Sequence, residues 1–152
     1  MIDYVLVLDF GGQYAHLIVR RVRELGVYSE LLSVDGTPLE VLREAIRGAR
    51  GVILSGGPSS VWEGKHDEIA RIIIEEGKPA LGICYGHQLL ARVLGGVVDK
   101  ARKPEFGPTI VSIKARDDPL FNGINETIVV WMSHNDAVLE PPPGASILAV
   151  SQ

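Results

Sequence analysis

Short apolar runs alternate with amphipathic stretches along the first part of the chain. Tyr4-Val5-Leu6-Val7-Leu8 is an unbroken apolar run ending in Asp9-Phe10-Gly11-Gly12. That pattern predicts a buried strand with a glycine turn at its C-terminal end. From Gln13 to Leu25 the period becomes helical. Leu17, Ile18, Val22 and Leu25 fall on one face, and Arg20, Arg21, Arg23 and Glu24 stay in water. Gly26 is placed to stop that helix. Val27–Val34 predicts a second strand, and a second helix opens with Thr37 as N-cap, Pro38 at the first helical position and Glu40 in the capping-box place.

Gly51–Leu54 predicts a third strand, closed by Ser55-Gly56-Gly57-Pro58. His66–Glu76 is helical, and Pro79–Ile83 is a fourth strand leading straight into Cys84 and a helix from about Gly86 to Leu94. Strand and helix in this alternation predict an α/β fold, a parallel sheet with helices on both faces. After Gly95-Gly96 the texture changes. Thr109–Ala115, Thr127–Met132 and Ser146–Val150 predict strands with no helices between them, a mainly antiparallel extension on the edge of the parallel core.

The 152 residues fit one domain with no internal boundary, and a composition of 46% hydrophobic and 22% charged residues is that of an ordinary globular chain. Its 17 glycines and 9 prolines agree with many tight connections. A net charge of −4 argues against nucleic-acid or anionic-membrane partners. No apolar run reaches the length of a membrane span, and the N-terminus lacks a signal-peptide pattern. A single cysteine excludes an intrachain disulfide and points to a reduced, cytoplasmic setting.

The chemistry concentrates at Gly82-Ile83-Cys84-Tyr85-Gly86. A nucleophile on a sharp strand-to-helix turn needs small residues two positions to either side, because the backbone passes close to itself there. Such a turn pushes the sulfur out at the C-terminal end of the strand. It also sets it at a helix N-terminus, where the dipole favours thiolate. The N–H of Tyr85 then points to where an oxyanion would form. A lone cysteine is more commonly a buried structural residue; the flanking glycines, the preceding strand and the following helix select the elbow instead. Ser55-Gly56-Gly57-Pro58-Ser59 can lie at the same sheet edge, with the Gly57 N–H as a second oxyanion donor, although Gly-Gly-Pro after a strand is also an ordinary turn.

His134, in Trp131-Met132-Ser133-His134-Asn135-Asp136, is compatible with a base, a binding residue or a surface histidine. His16, His66 and His87 look helical and scattered, and no metal-ligand spacing links the four histidines to Cys84 and the acids. Asp9 with Gly11-Gly12 does not complete a dinucleotide-binding loop, and no Walker loop is present, so no ATP motif is predicted.

Gly82-Ile83-Cys84-Tyr85-Gly86-His87-Gln88-Leu89-Leu90-Ala91 resembles the nucleophile segment of class I glutamine amidotransferases. Ile53–Val61 resembles the family's oxyanion loop, and Leu8–Tyr14, Arg20–Glu24 and Val130–Asp136 resemble its GMP synthase branch, so the likeness spans essentially the whole chain. It implies a flavodoxin-like fold. It implies Cys84 as nucleophile in glutamine hydrolysis through a thioester, and Gly57 and Tyr85 as oxyanion donors. Gln88, Pro58, Ser59 and the main chain around Ser133 and His134 would hold the glutamine. Ammonia would pass to an ATP-pyrophosphatase domain, fused or separate, that converts XMP to GMP. ATP and magnesium would belong to that partner, with no cofactor in this domain.

The family's activating His and Glu lie in a Phe-His-Pro-Glu segment, and none occurs in these 152 residues. The resemblance therefore implies a domain incomplete at its C-terminus and weakly active or inactive alone. Two alternatives are a non-hydrolysing module that binds glutamine and docks on a synthetase, and a different Cys amidase on a related fold. Unchanged glutamine with measurable partner binding would mark the first; Cys84-dependent cleavage of another amide would mark the second.

Overall fold

In the computed structural model, residues 2–152 are described, and the central strand is Val5–Asp9 (β1). Leu6, Val7 and Leu8 have no exposed surface. Consecutive residues point to opposite faces of a strand, so β1 is covered on both sides, as a parallel sheet between helices requires. Full burial of each such side chain contributes roughly 1.5–3 kcal/mol.

Ser29–Ser33 (β2), Gly51–Leu54 (β3) and Ala80–Gly82 (β4) complete a four-stranded sheet in the order β2-β1-β3-β4. Every pair is parallel, with Val5 opposite both Ser29 and Gly51, and Val52 opposite Ala80. The connecting helices are Ala15–Glu24 (α1), Leu39–Gly48 (α2) and Asp67–Glu75 (α3), and Tyr85–Val93 (α4) follows β4. The chain steps from β1 to β2 in one direction and from β2 across to β3 and β4 in the other. Right-handed crossovers then set α1 on one face and α2 and α3 on the other. Arg47 of α2 accordingly reaches Glu76, just past α3, at 3.3 Å. The reversal opens a crevice at the C-terminal ends of β1 and β3, where ligands bind in open α/β sheets.

Several local expectations change. On α1 the buried positions are Ala15 and Val19, while Leu17 and Leu25 are 42% and 81% exposed. Ile18 and Val22 flank them half-buried, so the stripe is centred on small residues that let the helix approach the sheet, and apolar size alone wrongly added Leu17 and Leu25. The second helix starts after Pro38, whose extended backbone (ψ 144°) takes the cap position, and no side chain caps it. Thr37 lies one residue too early to act. A capping box occurs instead at a short 3-10 turn, Val61–Glu63. There Ser60 accepts from the Trp62 N–H (3.3 Å) and its own N–H donates to Glu63 (3.0 Å). Gly26 does end α1, at φ +82°.

The chain divides into two compact units, 1–93 and 94–152, at the change of texture noted at Gly95-Gly96. The second unit is a separate three-stranded antiparallel sheet, Val97–Ile113 (β5), Thr127–Glu140 (β6) and Ala149–Ser151 (β7), ordered β6-β5-β7. β5 begins well before Thr109. The charges and proline between Lys100 and Glu105 hid that half of the strand, and the ladder is irregular at the same place. Pro108 is tolerated because β7 pairs only with Val111–Ile113, so β5 has a single neighbour at that point. No helix among the described residues is long and apolar enough to cross a membrane.

Candidate active site

The shortest strand of the parallel sheet, β4, ends at Gly82, and only Ile83 and Cys84 separate it from α4. Cys84 sits at the bend with φ +50°, the one non-glycine residue at positive φ among those described. That left-handed backbone costs an L-residue roughly 1–2 kcal/mol. It persists because the turn is tied down on all sides. The Ile83 N–H donates to the Leu54 carbonyl (2.9 Å), the Gly86 N–H to the carbonyls of Ile83 (3.0 Å) and Ser55 (3.2 Å), and the Gln88 N–H to the carbonyl of Cys84 itself (3.0 Å).

The flanking glycines are sterically required. A Cβ on Gly82 would stand 2.6 Å from His87 N and Cα; one on Gly86 would stand 2.5 Å from the Leu54 Cβ and carbonyl oxygen. The small residues read from the sequence thus answer to backbone contacts.

The loop after β3 comes to the same place. A Cβ on Gly56 would be 3.4 Å from Cys84 Cβ. A Cβ on Gly57 would meet the Phe10 carbonyl at 2.3 Å, and one on Gly12 the Gly56 carbonyl at 2.4 Å, so the glycine loops after β1 and β3 interlock. Ser55, 1% exposed, fastens them: its Oγ accepts from the Phe10 N–H (3.1 Å) and donates to the Gly56 carbonyl (2.9 Å). Among the described residues no backbone carbonyl accepts from the amide of Gly57 or Tyr85. For Tyr85 this is the orphan N–H of a first helical turn.

Gln88 is buried on α4, four residues after Cys84 and so on the same helical face. Pro58 packs toward Gly11, and Ser59 precedes the Ser60 cap. Cys84, Tyr85, Gly57, Pro58, Ser59 and Gln88 all lie in the first unit. Ser133 and His134 lie on β6 of the second unit. Ser133 is exposed, and His134 Nε2 pairs with Glu105, its cross-strand neighbour, at 2.8 Å, while its Nδ1 is buried with no partner. That contact and the part-buried ring replace the plain surface histidine. No group of three metal-ligating side chains occurs among the described residues.

Two features escaped sequence reading. Burial pushes the Cys84 thiol above its ordinary range, where the helix terminus alone predicted a lowering. Less thiolate is then present at neutral pH. Alkylation by iodoacetamide is expected to run slower at pH 7 than in the urea-unfolded chain, and to accelerate with pH through a midpoint above that of an unhindered thiol. A midpoint below it would mean that the helix terminus dominates.

The other feature is His66. Far from being a scattered helical residue, it is 2% exposed at the start of α3, with Nδ1 2.7 Å from the Tyr85 hydroxyl and Nε2 3.0 Å from Asp35. No spacing in the sequence links positions 35, 66 and 85; only the fold does.

Comparison with known proteins agrees with this geometry. The family model for glutamine amidotransferase class-I matches residues 6–152. The chain is 60% identical over 145 residues to the glutamine-hydrolysing GMP synthase of Aeropyrum pernix, covering 95% of this chain and 28% of that protein. It is 51% identical over 150 residues to the same enzyme of Pyrobaculum aerophilum, covering 99% and 29%. The chain thus spans under a third of the curated relatives it matches. A Thermoplasma acidophilum protein assigned as one subunit of a GMP synthase superposes with a TM-score of 0.87 at 34% identity, over 99% of this chain and 74% of its own. With a cysteine elbow, interlocked glycine loops and matches along nearly its whole length, the chain belongs to the class I glutamine amidotransferase family.

Proposed function

We propose that this chain is the glutamine-hydrolysing part of a GMP synthase, with Cys84 as its nucleophile. The observation that carries the reading is the left-handed Cys84 on a strand-to-helix elbow, with the Gly56-Gly57 loop against its Cβ. In the reaction the sulfur attacks the side-chain amide carbon of glutamine. The N–H groups of Gly57 and Tyr85 stabilise the oxyanion. The C–N bond then breaks, ammonia leaves with the proton that the thiol gives up, and a thioester remains. Water cleaves the thioester, releasing glutamate and restoring the thiol.

Gln88, Pro58 and Ser59 are the residues of the first unit proposed to hold glutamine. The proton relay belongs to the His–Glu pair that the family resemblance implies, and no Phe-His-Pro-Glu segment lies in the 152 residues. Ammonia would be consumed by an ATP-pyrophosphatase partner that uses ATP and magnesium to convert XMP to GMP. This chain matches 28% of the Aeropyrum protein and 74% of the Thermoplasma subunit, so the amidotransferase part occurs in both a long and a shorter chain. A cytoplasmic location suits the single reduced thiol.

The test is covalent labelling by a glutamine-mimicking electrophile, mapped by mass spectrometry on the full-length protein. The label is expected on Cys84 and is expected to be suppressed by glutamine. A label elsewhere, or one that glutamine does not compete, would end this reading.

A further inference from the structure

Asp35, His66 and Tyr85 come from three connections of the sheet and meet in a single hydrogen-bonded line. Asp35 follows β2, His66 caps α3, and Tyr85 is the first residue of α4, directly after Cys84. His66 and Tyr85 are 2% and 3% exposed. The Phe10 ring packs against both, with centroids 4.9 Å and 5.4 Å away.

One order of donors and acceptors along this line satisfies every group, and it starts from the carboxylate. An ionised Asp35 can only accept, so His66 Nε2 carries its hydrogen toward it. With Nε2 as the donor nitrogen, Nδ1 is the acceptor, and the Tyr85 hydroxyl donates into it at 2.7 Å. Hydrogen bonds from His66 and then Lys65 hold the Asp35 carboxyl below its usual range, which keeps it ionised. Burial, then the charges of Asp67, Glu63 and Asp35, push the Tyr85 phenol up to about 12, which keeps it protonated. The carboxylate and the phenol are thus held as acceptor and donor at the two ends of the line.

A strained backbone at Cys84 persists only where its surroundings over-determine it. We infer that Asp35 and His66 are positioning residues that act through the Tyr85 hydroxyl, locking the elbow so that the Tyr85 N–H is aimed at the developing oxyanion. The inference deepens the proposed glutaminase reading and rests on it. The three side chains do not touch the reacting atoms. Their effect is on the fixed geometry of the donor next to the nucleophile, to which rate is sensitive.

Tyr85→Phe keeps the ring against Phe10 and removes only the hydroxyl. In the full-length protein with its ATP-dependent part, this variant is expected to lose about tenfold in kcat for glutamine hydrolysis, with KM changed less than about twofold. His66→Leu is expected to match it, and the double variant to be no worse than either single one, because both remove one interaction. His66→Asn, whose Oδ1 stands near the position of Nδ1 and can accept from Tyr85, is expected to recover most of the rate.

A packing role would instead lower the melting temperature additively and leave kcat of the folded fraction unchanged. Wild-type kcat in Tyr85→Phe, or additive losses in the double variant, overturns the inference. Cys84→Ala is measured alongside. If it is inactive while Tyr85→Phe is normal, only the positioning line fails; if it still hydrolyses glutamine, the glutaminase reading fails first.

Discussion

Replacing Cys84 with alanine is expected to reduce glutamine hydrolysis by at least about a thousandfold, since no other side chain in the elbow can form the acyl intermediate. The fold should survive, because alanine keeps the Cβ and the same backbone. Glycine at this position separates chemistry from strain. Cys84→Gly is expected to be as inactive as Cys84→Ala but more stable. A residue with a Cβ at φ +50° carries roughly 1–2 kcal/mol of strain that glycine does not. Greater chain entropy in the unfolded state returns about 0.4–1 kcal/mol of that gain. A net advantage of the order of 0.5–1 kcal/mol for Gly over Ala should therefore appear in urea unfolding. Equal midpoints would show that the backbone relaxes once the thiol is gone. Retained hydrolysis in either variant would place the nucleophile elsewhere.

The parallel half of the molecule was legible because its signals are local. Continuous burial of Leu6, Val7 and Leu8 needs an unbroken apolar run, and the sequence displays one. The elbow was legible because its constraint is also local, glycines two residues to either side of Cys84. What the sequence hid depends on contacts between distant positions. The buried face of α1 is set by how closely Ala15 and Val19 can approach the sheet, whereas the more apolar Leu17 lies in water. The first half of β5 is charged and irregular, and β6 alone supplies its pairing there. The sign of the Cys84 shift turned on desolvation, which periodicity does not report. His66 gave no warning at all, because its partners lie 31 and 19 residues away in sequence.

Gly86→Ala is expected to be among the most damaging of the conservative glycine substitutions for both stability and rate. An added Cβ would stand 2.5 Å from the Leu54 Cβ and carbonyl oxygen, and 2.9 Å from the carbonyl carbon. None of these atoms can swing away. Leu54 is fully buried in β3, and its carbonyl already accepts from the Ile83 N–H at 2.9 Å. The clash must be relieved by separating the start of α4 from the end of β3, which carries Tyr85 and its N–H out of place. Overpacking of this kind costs about 3 kcal/mol, the upper part of the usual range. A shift near 1 Å at the elbow lowers the rate by about a hundredfold. Gly26→Ala is the control: its φ is +82° but nothing lies within 4 Å of the added Cβ, so it bears only the backbone strain. It should lose about 1 kcal/mol and keep its hydrolysis rate. If Gly86→Ala instead unfolds at the wild-type urea concentration, the close approach of α4 to β3 does not hold the elbow, and the strain at Cys84 must be maintained from its other side, through Ser55 and the loop after β1.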